Sequence, residues 1–246
     1  MEPQVGYTHI PVLREERSWL VLAKPAGIHS IAQRGSDAPS VEAWLRATRP
    51  ELAAVDEAGL VHRLDFETSG CLLVAKDDAT RARLRDAFSG RGGDIRKTYL
   101  ALVEGHFPDR VLAGSFTLSF ASRHKGSAKV TVHTRGEPET IGRCRWRVLR
   151  VMGNNTLVEV ELLGPGRRHQ IRAGMAHEGH PLVGDTLYGG SPREGGLCLH
   201  AWRLEGESLA RAAAATSSAT DVTTDVNLPA SPRIESPAPE WATLSS

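Results

Sequence analysis

Between Thr98 and Leu163 the chain passes from one strand-like segment to the next with no helical period between them. The segments are Thr98–Glu104, Ser115–Phe120, Lys129–His133, Arg143–Val148 and Leu157–Leu163, rich in β-branched, aromatic and aliphatic residues. In Arg143–Val148 the period of two puts Arg143, Arg145 and Arg147 on one face, and Cys144, Trp146 and Val148 on the other. A Gly153-Asn154-Asn155 turn gives the last two segments the form of a hairpin. Parallel neighbours need a long crossover, so strands in direct succession pair antiparallel. The pattern therefore predicts an α+β fold, with a mixed, largely antiparallel central sheet and a few covering helices, rather than a doubly wound one.

The remaining elements are consistent with that frame. Ser18–Ala23 reads as a buried strand stopped by Lys24-Pro25-Ala26-Gly27, Cys71–Ala75 as another, and Leu197–Leu204 as the last. Helices are expected from Ser40, as N-cap, to Arg46, and from Asp77-Asp78 to Phe88 with Ala79, Leu84, Ala87 and Phe88 on one face. A third is expected from about Arg168 to Glu178. From Glu207 the sequence turns Ala-, Ser-, Thr- and Pro-rich with one aromatic, Trp241, too little apolar surface to offset ordering. The expected organisation is an extension over 1–15, one domain over 16–206 and a disordered tail over 207–246, with a short alanine-rich helix near Leu209–Ala215.

Charge is unevenly spread. Residues 81–150 carry 15 Lys and Arg against 6 Asp and Glu, although the net charge of the whole chain is +1. Clustered positive charge points to a polyanion, but a charge run alone more often solvates exposed strands. Cys71, Cys144 and Cys198 are too few and too scattered for a disulfide framework or a CxxC metal knuckle, which favours a reducing cytoplasmic setting. The first residues lack a basic-then-apolar leader and no apolar run reaches membrane-spanning length, so neither secretion nor a membrane location is expected.

The densest chemistry lies in His62-Arg63-Leu64-Asp65-Phe66-Glu67-Thr68-Ser69-Gly70, between apolar runs. A carboxylate flanked by Arg and held between strands can stay ionised and aimed, as a nucleophile must. Taken alone, Arg-x-Asp is more often a surface ion pair beside a turn. Other segments shift that balance: Lys24-Pro25-Ala26-Gly27-Ile28-His29, then Arg96-Lys97-Thr98-Tyr99-Leu100-Ala101, then Gly166-Arg167-Arg168-His169-Gln170-Ile171-Arg172 continuing to Gly179–Asp185 and Tyr188-Gly189.

This ordered series resembles the HRLD-type RNA pseudouridine synthases, which modify uridines in ribosomal and transfer RNA, over about residues 16–206. The resemblance implies that Asp65 is the catalytic aspartate, bonding covalently to the target nucleotide or otherwise initiating glycosidic cleavage. It implies that Tyr99 stacks on the flipped uracil, with a part in proton transfer at C5 left open. Arg172 would pair with Asp65 and hold its pKa low, Ile171 would pack beneath Tyr99, and Arg63 would fill the space the nucleotide leaves. His62 would shape the loop, Lys24 and Lys97 would serve phosphates or pocket structure, and Arg167 and His169 would contact substrate. Arg123, His124, Lys125 and Lys129 would track RNA backbone.

The partner implied is a structured rRNA or tRNA stem-loop, with a monomer as default and no cofactor or metal, since the product is an isomer of the substrate. Two departures stand out. Arg168 occupies a place where relatives often carry Thr or Ser, and only about fifteen residues precede the first strand, too few for the small RNA-binding domain many relatives place there.

Three rival readings fit parts of the sequence. A metal hydrolase would use His169, His177 and His180, but no HExxH spacing is present. A glycosidase would use Asp65 and Glu67, about 7 Å apart on an extended segment, yet aromatic content is only 5%. A non-catalytic RNA-binding protein on the same fold would have little reason to carry Asp65, Tyr99 and Arg172 together.

Overall fold

The computed structural model describes residues 9–33, 38–89, 93–122, 124, 126–214 and 232–243. A 10-stranded sheet organises them. Its strands are β1 (Val12–Glu15), β2 (Trp19–Lys24), β3 (Ser69–Ala75), β4 (Arg96–Glu104), β5 (Ala113–Ser122), β6 (Val130–His133), β7 (Ile141–Met152), β8 (Asn155–Leu163), β9 (Leu199–Glu205) and β10 (Arg233–Glu235). The order across the sheet is β1-β2-β3-β9-β4-β8-β7-β5-β6, with β10 paired to β9. The β3–β9 contact is parallel and the other strand pairings are antiparallel, as the succession of strands implied.

Alternation divides the strands between two cores. Leu20, Leu22, Leu72, Val74, Tyr99, Ala101, Val158 and Val160 face one side. Trp19, Val21, Cys71, Leu73 and Ala75 face the other, under α2 (Asp78–Phe88) and α4 (Glu207–Ala214). The first side is closed in part by α1 (Val41–Thr48) and α3 (Gln170–His177). The N-caps fall where expected: Ser40 Oγ accepts from the Ala43 amide and Asp77 from the Thr80 amide. On α2, however, Ala79 is exposed and Arg81 takes a buried place, paired with Asp56 and Glu57.

Arg143, Arg145 and Arg147 of β7 do share an exposed face, but two of them are neutralised across the sheet. Arg145 pairs with Glu161 at 2.8 Å and Arg147 with Glu159 at 2.9 Å. Arg96 similarly meets Glu205 at 2.9 Å. Part of the basic block over 81–150 is thus matched by carboxylates from outside it.

The expectation of a disordered 207–246 tail needs correction. Residues 215–231 lie outside the described residues, but α4, β10 and α5 (Glu240–Thr243) are built onto the sheet. Ser18 Oγ donates to the Ala212 carbonyl at 2.5 Å and Trp19 Nε1 to the Leu209 carbonyl at 3.0 Å, while Trp241 is buried against Leu100, Leu102 and Leu157. Small residues allow α4 to sit close, so low apolar density did not prevent docking. Deleting everything after Glu207 would strand two buried donors and uncover Trp19 and Leu84. The expected result is a loss of several degrees in Tm by thermal unfolding, whatever happens to activity.

Candidate active site

A cleft of about 730 Å³ opens on the first face of the sheet, lined by the His62–Thr68 segment, Tyr99, the Pro165–Arg172 segment and Leu199. It gathers most of the residues singled out from sequence: His62, Arg63, Asp65, Lys97, Tyr99, Arg167, His169, Ile171 and Arg172 line it. Lys24 stands behind the wall rather than on it.

The turn carrying Asp65 is held from below. The Thr68 amide donates to the Asp65 carbonyl at 3.1 Å, closing the turn. Lys24, 1% exposed, directs its Nζ at the carbonyls of Pro25, Phe66 and Thr68, at 2.9, 3.3 and 2.7 Å. Ser30 pins the residue before Asp65 on both sides: its Oγ accepts from the Leu64 amide and donates to the Leu64 carbonyl, each at 2.9 Å. Lys24 is therefore a structural peg, with its pKa pushed down to about 7 by burial against the opposing pull of Asp65 and Glu67. Lys97 is another, donating to the Phe88 and Gly164 carbonyls at 2.9 and 2.6 Å, its pKa lowered to about 8 by burial. The three donors of Lys24 and two of the three of Lys97 are thus taken by backbone carbonyls.

His62 shapes the loop. Its Nε2 accepts from the Leu73 amide at 3.1 Å and its ring stacks on Phe88, 4.2 Å between centroids. Burial, then the charge of Lys97, lowers its pKa to about 3, so the ring is neutral as an acceptor requires. At the far end of the turn Gly70 has φ +114°, and a Cβ there would collide with the Ala201 carbonyl where β3 meets β9. Gly70→Ala is expected to cost at least about 1–3 kcal/mol in unfolding free energy by urea denaturation, and activity with it.

Arg172 enters from α3 and is 2% exposed. Its fork is taken by Asp185, with Nε–Oδ2 at 2.7 Å and Nη2–Oδ1 at 2.8 Å. That leaves Nη1 facing the turn, 3.3 Å from Glu67 and 3.9 Å from Asp65. The expected Arg172–Asp65 pairing exists, but as the longest of three contacts. The expectation that it holds the Asp65 pKa low is corrected: burial raises that pKa above the usual value, and outweighs the lowering by Arg172; Glu67 adds to the rise. Sequence reading missed Asp185 as the anchor, although it stands in the quoted Gly184-Asp185 motif.

Tyr99 sits on β4 beside a bulge, where Thr98 pairs with Arg203 but Tyr99 with Ala201, an irregularity that re-aims a side chain. Burial, with the nearby Asp65 charge, raises the pKa of its hydroxyl. Tyr99 and Ile171 belong to one apolar cluster. His169 takes a left-handed backbone conformation, φ 53°, at the start of α3 and sends Nδ1 to the Tyr188 hydroxyl at 2.8 Å. Burial, then the charges of Arg172 and Arg168, lowers its pKa to about 4. Arg167 is partly occupied, donating to the Ile141 carbonyl, and Arg168 donates to the Ser127 and Ala128 carbonyls. Of the basic stretch, Arg123 and Lys125 lie outside the described residues; His124 and Lys129 are exposed, with Lys129 near the Tyr188 ring.

The metal-site rival gains nothing here. His169 pairs with Tyr188, His180 Nδ1 with the Glu104 carbonyl, and His177 is exposed. Among the described residues no group of three or more His, Cys, Asp or Glu is placed to hold a metal ion. Nor is any helix among them long and apolar enough to cross a membrane.

A mixed sheet with this cleft between an Asp-bearing turn and an Arg-bearing helix defines a class, and comparison with known proteins identifies it. Residues 18–177 match the RNA pseudouridylate synthase family, to which the chain belongs. The chain is 35% identical over 185 residues to ribosomal large subunit pseudouridine synthase D of Yersinia pestis, covering 75% of this chain and 54% of that protein. It is also 35% identical over 181 residues to the Xanthomonas campestris protein of the same name, covering 73% of this chain and 52% of that protein. The chain thus spans about half the length of the curated relatives it matches. Among solved structures, human RNA pseudouridylate synthase domain containing 1 superposes with a TM-score of 0.63 at 25% identity, over 80% of this chain and 78% of that one. Human RNA pseudouridylate synthase domain containing 4 shares the fold at 18% identity, with a TM-score of 0.67 over 94% and 90%.

Proposed function

We propose that the protein is an RNA pseudouridine synthase that uses Asp65 to isomerise uridine in structured RNA, ribosomal RNA first among the candidates. The observation that carries this is the convergence of Asp65, Tyr99 and Arg172 in one cleft, with Arg172 clamped by Asp185 so that a single nitrogen faces Asp65. Family membership supports it, and so do the ribosomal large-subunit names of the relatives.

The reaction breaks the bond between N1 of uracil and C1′ of ribose and makes one between C5 and C1′. The C5 hydrogen leaves as a proton and N1 gains one, so no electrons enter or leave. Asp65 starts the cleavage, either by bonding covalently to the nucleotide or by acting as a base. Arg172 keeps the carboxylate oriented and opposes the burial that would neutralise it. Tyr99, with Ile171 behind it, offers an apolar face on which the detached ring can turn without escaping. Reaching a base in a helix requires flipping it out, and Arg63, exposed on the same turn, is the planar cation suited to replace it in the stack.

Two alternatives fare worse. Glycosidase carboxylates stand on opposite sides of the scissile bond, whereas Asp65 and Glu67 approach the same Arg172 nitrogen. A purely RNA-binding protein would not require an aimed, partly buried carboxylate at the floor of its groove.

The test is release of tritium from RNA labelled at uridine C5. Purified protein should liberate it from large-subunit ribosomal RNA; no release from ribosomal or transfer RNA would reject the activity. Affinity should also respond to salt, but moderately. With Arg63, Arg167 and Arg168 at the cleft and part of the 81–150 block already paired, roughly three to five phosphate contacts give a log–log slope of about −2 to −4. A flat response measured by filter binding would contradict that footprint.

A further inference from the structure

Phe66 immediately follows Asp65, yet the residue is 39% exposed, one of the few large apolar residues among those described that remain in water. It is not a loose surface residue. Its carbonyl accepts from the Gly27 amide at 2.9 Å and from Lys24 Nζ at 3.3 Å, so its backbone is pinned to the neighbouring loop. From that loop His29 places its ring 4.6 Å from the Phe66 ring, tilted by 45°. Both rings line the cleft that holds Asp65. Arg63, the other exposed planar group of the turn, lies on the opposite side of Asp65 in the chain.

We propose that Phe66, backed by His29, is a stacking platform for an unpaired base next to the target uridine, a subsite that selects targets in loops over targets inside continuous helices. This rests on the pseudouridine synthase reading and adds a determinant of which uridines are taken. The physical case is direct. A flat apolar ring held in place at the mouth of an RNA cleft gains by covering itself with a base, and every base has a face to offer. The backbone pins mean that little ordering entropy is lost when it does so. Stacking of this kind tolerates any base, so the subsite reads the presence of an unstacked neighbour rather than its identity.

The experiment uses the full chain and a stem-loop cut from a uridine site mapped in large-subunit ribosomal RNA. The stem-loop is made intact, and with an abasic nucleotide at either flank of the target. Phe66→Leu keeps apolar bulk without a π face; Phe66→Tyr keeps the face. On intact RNA, Phe66→Leu should raise Kd and KM by about 5- to 150-fold with kcat within a few fold, and Phe66→Tyr should match the unmodified protein. With one of the two abasic flanks the penalty of Phe66→Leu should vanish, because the unmodified protein has already lost the contact. Replacing that flanking base by 2-aminopurine should give quenching on binding that Phe66→Leu removes.

Equal penalties on intact and both abasic RNAs would overturn the proposal and leave Phe66 as local packing. So would a kcat loss with unchanged KM, or circular dichroism showing Phe66→Leu unfolded while Phe66→Tyr also fails to quench. If the unmodified protein converts no uridine in ribosomal or transfer RNA, the parent reading fails instead; conversion with no flank effect sinks only the platform.

Discussion

Asp65→Asn is expected to lower turnover by more than about 10³-fold while leaving RNA affinity within a few fold, because it removes the reacting oxygen but not the shape of the cleft. The variant keeps the Thr68 turn and the Ser30 and Lys24 contacts, none of which uses the Asp65 side chain. Its Tm should stay close to that of the unmodified protein. The raised pKa of Asp65 adds a second signature. Ionised carboxylate is the working form, so kcat should fall as pH drops through a value above the usual aspartate pKa. Glu67→Gln removes a neighbour that helps raise that pKa, so the acid limb should move to lower pH. Single-turnover rates across pH 4–8 check both, and an acid limb at or below the ordinary aspartate value would contradict the burial argument.

The second large effect is on stability. Asp185 is 1% exposed and holds both Nε and Nη2 of Arg172. Asp185→Ala leaves a guanidinium in the core without its main partner, a change that costs about 3–5 kcal/mol. For a chain of this size that is a fall in Tm of roughly 10 °C. Activity should suffer beyond the unfolded fraction, since the freed fork can turn fully onto Glu67 and Asp65. Thermal unfolding with single-turnover kinetics below the transition separates the two. An unchanged Tm would mean that Asp185 is not what fixes Arg172.

The site was legible from sequence where function and local motif coincide. Asp65, Tyr99 and Arg172 lie in short segments and do converge, as do His62, Ile171 and His169. The support beneath them was not legible. Ser30 gives no sign in the sequence that it will bond both sides of Leu64, because that contact spans 34 residues. For Lys24 and Lys97 the sequence leaves phosphates and pocket structure both open, and only the fold shows that backbone carbonyls take their donors. Asp185 sits 13 residues from Arg172 with no helical spacing between them, so its role depends on the path of the 182–190 loop.

The same division holds for the fold. Caps at Ser40 and Asp77 and the alternation of β7 are local properties and are found where expected. The β3–β9 parallel contact and the docking of α4, β10 and α5 depend on partners far away in sequence. In the last case, alanines that promise little burial fit tightly against Trp19 and Leu84. The basic block is only partly readable for a related reason: composition counts charges but does not show that Glu205, Glu161 and Glu159 pair with Arg96, Arg145 and Arg147 across the sheet.

The most direct test of the central claim is a transcriptome-wide map of pseudouridine by carbodiimide-dependent reverse-transcription stops. RNA would be compared from cells with the gene, without it, and with the gene restored as Asp65→Asn. The expected result is at least one uridine, in ribosomal or transfer RNA, whose stop disappears on deletion, returns with the unmodified gene and does not return with the variant. A site restored equally by Asp65→Asn would contradict the account of the cleft.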